Sequence, residues 1–400
     1  MIKKILTFIF VFISFVSAND ICRQFYLKKS FDAQIDHTIE NLPIYVEDNL
    51  GALFIKNISQ GKKVFIILGD GFEAREKLQS EGFTNIQSIE KRVGFHQTWT
   101  AIKNGEAVLV VTRVNGVDRV EHIVSFFDLL NVQPKIEFIG QHRSWKAEYL
   151  NLFTKIGPPP DLAVIGFSNT FTQSLLPISS FLLNPRLAWQ RLNALRQKKR
   201  TGGTSDISTL PVQVVKLKNG QRIWFFQNVY GDLVLDIAKA LDQFGVKNIL
   251  YAGTAGSVNE NFPVGRIVQP TEWLDENKIL HPITWNSKLS GVDRVGRYTR
   301  VSTPNVETKD WLRKQILDRI DLIEVEVGHL LKFFSNNHET DFDAVLVVSD
   351  ILVGNNKKDL TSWTKKNLVG LLTPFKKIIA QKLKTSDSNL DVQSYEVFTP

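Results

Sequence analysis

Of the 400 residues only one is cysteine, Cys22, and only one is methionine. No intramolecular disulfide can form, so burial and hydrogen bonding must hold the fold. Metal sites built on several thiolates are excluded for the same reason. The seven histidines show no HExxH-like spacing, which removes the commonest helical zinc motif. No complete GxGxxG follows a strand-like run, so a dinucleotide site has no support. Beyond residue 16 no apolar segment approaches the roughly 20 residues that a membrane-crossing helix needs.

What is present starts with Lys3 and Lys4, an apolar run over 5–16 and the small residues Ser17 and Ala18 before Asn19. This pattern leads us to expect an export signal over 1–18, a mature protein that is secreted or periplasmic, and no stable membrane insertion after cleavage. A short membrane anchor is the alternative. The composition, 43% hydrophobic and 22% charged, is that of a chain able to bury a core. The net charge is +8, part of it in RQKKR at 196–200. That single run lacks interleaved aromatics and reads as a solvated helix end, so no nucleic-acid partner is expected.

Strand and helix signals alternate from Val64 onward, the mark of α/β architecture. VFIIL at 64–68, residues 107–112 and KIEFIG at 135–140 read as strands, with a helix over 117–130. After IGPPPD at 156–161 the pattern restarts with strands at 162–166, 222–227 and 247–253 and a helix over 231–245. The stretch 114–140 parallels 229–253, which suggests an internal duplication. Further on come a helix at 309–319, a strand at 320–327, a strand at 344–350, a long closing helix at 360–383 and a polar tail at 386–400.

Three strand ends carry unusual residues, and ligands of open α/β sheets collect at such ends. The first is Gly253-Thr254-Ala255-Gly256-Ser257, read as a turn in which glycine allows positive φ or close approach. The second is Glu324-Val325-Glu326. Two carboxylates two residues apart on a strand face one way, and an ionised carboxylate accepts hydrogen bonds from a pair of hydroxyls. The third is Ser349-Asp350, where a carboxyl following AVLVV should be desolvated and so suited to act as an acid near neutrality. The bland readings are a steric turn, an acidic solvated strand end and a helix N-cap, respectively.

Together GTAGSVNENFPVGRIV, VEVEV and VVSDILVG resemble, in order and spacing, the signatures of the purine and uridine nucleoside phosphorylase superfamily, which includes the methylthioadenosine/S-adenosylhomocysteine nucleosidases. The resemblance covers 162–383. It implies a three-layer mixed α/β sheet flanked by helices over 161–385, preceded by a degenerate phosphorylase-like half over 19–160. It implies a purine nucleoside as ligand, no cofactor, phosphate as a possible co-substrate, and a possible homo-oligomer. Asp350 would serve the leaving base as general acid, with Ser349 supporting it. Glu326 would hold the ribose hydroxyls, Glu324 and Val325 would flank it, and Thr254 and Gly253 would stand near the attacking group. Gly231 is what remains of a glycine pair in a family loop. The stretch 165–174 lacks the arginine of phosphorylases, and Thr170 stands where nucleosidases have a water-activating glutamate. The rival reading is therefore a nucleoside-binding protein or pseudoenzyme. In the first half, Arg75, Arg92 and Arg113 are candidates for lending a cation to a shared site, with plain packing as the alternative.

Overall fold

The computed structural model describes residues 37–39, 41–69, 74–89, 96–176, 211–227, 229–335, 339–354, 358 and 369–398. The expected export signal, Cys22, the basic run at 196–200, Arg92 and residues 360–368 of the expected closing helix lie outside the described residues.

The first unit begins with α1 (Leu42–Leu50) and α2 (Ala52–Ile58), followed by β1 (Val64–Leu68) and α3 (Ala74–Ser80). Then come β2 (Thr84–Ser88), β3 (Gln97–Lys103), β4 (Glu106–Val114), α4 (Val117–Leu129) and β5 (Ile136–Gly140). Its five-stranded sheet has the order β2-β3-β4-β1-β5. The interior strand β1 is a continuous apolar run because both its faces are covered. On one face Val64 and Ile66 meet α1, α2 and α4 through Val46, Phe54 and Phe126. On the other, Phe65 and Ile67 meet Leu78 of α3 and Phe83.

The second unit opens with α5 (Lys146–Ile156), β6 (Leu162–Ile165), α6 (Ser168–Leu175), β7 (Val212–Leu217) and β8 (Arg222–Phe226). A short 3-10 turn at Gly231–Leu233 leads into α7 (Val234–Gln243) and β9 (Asn248–Ser257). The chain continues through β10 (Ile267–Leu274), β11 (Leu280–Pro282), β12 (Asp293–Arg300), α8 (Lys309–Leu317), β13 (Ile320–Glu324), α9 (Val327–Phe334) and β14 (Asp341–Ile351). It ends with α10 (Leu372–Lys382) and β15 (Val392–Phe398). The strand order is β11-β10-β12-β13-β9-β6-β8-β7-β15, and β14 pairs with both β10 and β9. Strands β10, β12, β13, β9 and β14 therefore close on themselves, and the open part of the sheet extends from β9. Helices α5, α7 and α9 cover one face and α6 and α10 the other. This is the expected three-layer mixed sheet.

Three expectations need correction. Residues 386–400 are not a free polar tail: β15 alternates as a half-buried strand and pairs antiparallel with β7. The division between units does not fall at 160, because Trp145, Tyr149, Leu152 and Phe153 pack into the core of the second sheet. The stretch 253–257 is not a turn but the last half of β9.

The two units share a plan. In the first, β3-β4 is antiparallel while β4-β1 and β1-β5 are parallel. In the second, β7-β8 is antiparallel while β8-β6 and β6-β9 are parallel. An outer strand, β2 or β15, adds antiparallel to each. The correspondence reaches single residues. Gly69 after β1 has φ +65 and Gly166 after β6 has φ +89. A Cβ on Gly69 would stand 2.1 Å from the Gln141 carbonyl oxygen, and one on Gly166 would stand 1.9 Å from that of Ala252. Only glycine meets both demands, the left-handed backbone and the contact.

Candidate functional site

The acidic stretch of the second unit is built at the junction of β13 and α9. Strand β13 stops at Glu324, and Glu326 is the N-cap residue of α9. The two carboxylates nevertheless converge on one phenol. The Tyr251 hydroxyl of β9 donates to Glu324 Oε1 at 2.7 Å and lies 3.2 Å from Glu326 Oε2. Glu324 Oε2 also accepts from the backbone N–H groups of Glu326 (2.8 Å) and Val327 (2.7 Å), and the Tyr298 hydroxyl lies 3.2 Å away. Both oxygens of Glu324 are thus occupied by the protein, and they neutralise the exposed donors at the start of α9. Its hydrogen bonds go to the helix start and to the two tyrosines. Glu326 has fewer partners: its Oε1 accepts from the Gly231 N–H at 2.9 Å. Burial, and then the charge of Glu324, push the Glu326 carboxyl well above the usual range. The same two causes, burial first, raise the Tyr251 phenol.

The glycines of β9 explain themselves by contact rather than by conformation, since neither Gly253 nor Gly256 has a positive φ. A Cβ on Gly253 would lie 2.5 Å from the Tyr251 hydroxyl oxygen, and one on Gly256 would lie 3.0 Å from Asp350 Oδ2. Bare backbone at these places is what lets the phenol and the carboxylate stand where they do. Asp350 itself lies opposite Gly256, just past an irregularity in the β9–β14 register between Val348 and Asp350. The extra residue is Ser349, and such a bulge re-aims the side chains around it. The buried Ser349 hydroxyl is hydrogen-bonded to Asp350 Oδ1 and is 3.2 Å from the Ala255 carbonyl. Thr254 and Val325 are half-buried, and Thr254 lies opposite Val347 of β14.

The expected residues therefore fall into two clusters. Glu324, Glu326, Gly231 and Gly253 surround the Tyr251 phenol, whereas Asp350 and Ser349 stand at the level of Gly256. The levels differ by three residues along β9, about 10 Å, and the odd spacing puts the two clusters on opposite faces of that strand. The two clusters face a polar junction with the first unit. Glu307, 6% exposed, has its carboxyl pushed well above the usual range by burial and then by the charge of Asp350. The Thr38 hydroxyl of the first unit donates to Glu307 at 3.3 Å. Tyr45, whose phenol is raised mainly by burial, feels both Glu307 and Arg119. The Arg119 guanidinium of α4 covers the Tyr230 ring at 4.3 Å. Burial lowers its pKa to about 10 against the pull of Tyr230, Tyr45 and Glu326. His122, one turn further on, places Nδ1 2.8 Å from the Thr303 hydroxyl. Burial and then Arg119 keep its ring neutral, well below the ordinary value.

Sequence reasoning missed Arg119, Glu307, Tyr230 and Tyr251. It looked for a lent arginine at Arg75, Arg92 and Arg113. Arg75 is exposed on α3, and Arg113 is half-buried in β4. A signal for Arg119 was present, because 119, 122, 123 and 126 form the buried stripe of α4, and charged residues on an apolar stripe ask for partners. His329 of α9 places Nε2 2.6 Å from Asp118 Oδ2.

No family model and no curated protein matches this sequence. Solved structures do resemble it. They include 5'-methylthioadenosine/S-adenosylhomocysteine nucleosidase from Helicobacter pylori, at 11% identity over 55% of this chain and 98% of that one, with TM-score 0.36. Schistosoma purine nucleoside phosphorylase matches at 13% identity over 58% and 95%, with TM-score 0.39. A methylthioadenosine phosphorylase from an antarctic soil metagenomic library matches at 12% identity over 56% and 86%, with TM-score 0.36. These structures belong to the group whose motifs the sequence resembles. At such identities and TM-scores the chemistry has to be argued from the residues of this chain.

Proposed function

We propose that this protein cleaves the N-glycosidic bond of purine nucleosides at the junction of its two units. The observation that carries this reading is that two buried carboxyl groups both bear on the junction with the first unit, Asp350 on Glu307 and Glu326 on Arg119. Asp350 stands over Gly256, and Glu326 stands beside the phenol that covers Gly253. In this reading Asp350 hydrogen-bonds or protonates the leaving base, aligned by Ser349. Glu326 hydrogen-bonds the ribose hydroxyls. Glu326 is fitted to this because Glu324 already satisfies the helix start and the tyrosines, which leaves Glu326 acceptor capacity for a ligand.

Incubation of the full chain with adenosine, inosine and methylthioadenosine, with and without phosphate, tests the proposal through release of free base. Release that requires phosphate identifies phosphorolysis, and release without it identifies hydrolysis. Tight binding with no release of base would leave a nucleoside-binding protein. Absence of both binding and release overturns the reading.

A further inference from the structure

The first unit reaches the second through the start of α4. The Asp118 side chain, only 5% exposed, is within 3.0 and 3.1 Å of Arg300 Nη1. Asp118 Oδ2 also lies 2.6 Å from His329 Nε2 and accepts from the Asp232 N–H at 3.0 Å. Arg300 ends β12, His329 lies on α9, and Asp232 belongs to the turn before α7, so one carboxylate joins three elements of the second unit. Burial alone would raise its pKa, but the His329 hydrogen bond and Arg300 hold it below the usual value.

The turn it holds is the one that touches Glu326. Gly231 has φ +62, and a Cβ there would lie 2.5 Å from the Asp118 Cβ. The glycine is therefore pressed against Asp118 on one side while its N–H donates to Glu326 Oε1 on the other. The contact is reciprocal. Asp232 Oδ2 accepts from the Val117 N–H at 2.9 Å, and a Cβ on Gly116, with φ +84, would lie 2.4 Å from Asp232 Oδ1. Glycine turns that precede equivalent helices in the two units thus interlock, each receiving the other's aspartate. Such self-complementary exchange is the pattern of an isologous contact, here made within one chain.

We infer that Asp118 is a positioning residue for Glu326. Through the Gly231–Asp232 turn, the first unit fixes where the sugar-facing carboxylate of the second unit points. The inference rests on the proposed role of Glu326 toward ribose, and it gives the first unit a task that strand order alone does not reveal. Asp118 touches no ligand atom in this account; it acts through the Gly231 amide.

The test compares Asp118→Ala, Asp118→Asn and Glu326→Ala in the full chain. Two quantities are measured: amide hydrogen exchange over the Gly231–Asp232 turn, and KM and kcat for the best nucleoside. Loss of a charge-assisted hydrogen bond is expected to raise exchange and KM about tenfold in Asp118→Ala, with kcat changed much less. Asp118→Asn keeps an acceptor for the Asp232 N–H and should recover part of both. A folded Asp118→Ala protein with exchange and KM within about twofold of the parent overturns the inference. Should Asp118→Ala fail to fold, Asp118→Asn decides the matter through a rise of about threefold in both quantities, and no measurable rise in either overturns the inference. If Glu326→Ala abolishes binding while the Asp118 variants bind normally, the positioning role fails and the nucleoside reading stands. If the parent protein ignores every nucleoside, that reading fails, and unchanged exchange in the Asp118 variants would then remove the positioning role as well.

Discussion

The two units carry the same strand order and the same left-handed glycine against the neighbouring strand, yet they are loaded very differently. In the second unit β9 is ten residues long, almost wholly buried, and flanked by β13 and β14, which bring Glu324 and Asp350 to it. In the first, the equivalent strand β5 is five residues long and is the edge of its sheet, with Phe138 half exposed. Without outer neighbours, the end of β5 has nothing to place around a ligand. The first unit instead contributes a helix, α4, whose Asp118, Arg119 and His122 all face the second unit. In the proposed reading the same architecture serves as a site in one place and as a site's wall in another, because chemistry sits in side chains at strand ends rather than in strand order.

The contrast can be broken most sharply at the acid. Asp350→Asn is expected to lower kcat by about 10²–10⁴-fold, the usual contribution of a general acid, with little change in thermal stability. Base release at the parental rate would move the chemistry elsewhere. Next in size comes a matched pair in the equivalent strands. The registers place Phe138 beside Ile66 and Ile249 beside Ala163, the same slot in the two sheets. Ile249→Ala should cost about 2–5 kcal/mol in denaturant unfolding because it opens a cavity in the closed core. Phe138→Ala should cost less than about 1 kcal/mol, since half of its ring already meets solvent. Equal costs would mean that β5 is covered in solution.

The smallest effect concerns Glu307 at the junction between units. An unfolded glutamate ionises near its ordinary value, whereas burial and Asp350 make the folded one hold its proton to higher pH. The folded state then binds more protons than the unfolded one, so stability is full below the ordinary glutamate range and falls as pH rises toward the raised value. Glu307→Gln removes this loss. Its stability gain over the parent should be absent near pH 4 and grow as the pH rises through neutrality, by about 1.4 kcal/mol per unit of pKa difference. A gain independent of pH would show that Glu307 is ionised in the folded protein.

Much of the fold was legible because apolar periodicity reports burial directly. The runs at β1, β6, β8 and β14 and the stripe of α4 are visible without any structure. Residues 386–400 were misread because β15 is a half-buried edge strand whose alternation is diluted by polar residues. The glycine-rich stretch of β9 was misread because glycine signals a turn and a tight approach equally well, and only the neighbour decides which. In the site, the pairing of Glu324 with Glu326 was visible as spacing, but not which of them would be saturated. That depended on Tyr251 and Tyr298, which arrive from β9 and β12.

The sequence by itself determined the α/β character, the repeated plan and the three strand ends with unusual residues, because each of these is a local pattern. Only the tertiary structure decided that Glu324 serves the helix start while Glu326 keeps fewer partners, the Gly231 N–H and the Tyr251 hydroxyl. It likewise decided that the first unit closes the junction with Asp118, Arg119 and His122. Those outcomes depend on hydrogen bonds between residues up to about two hundred positions apart. No local pattern encodes such bonds, since their partners meet only when the two sheets are packed together.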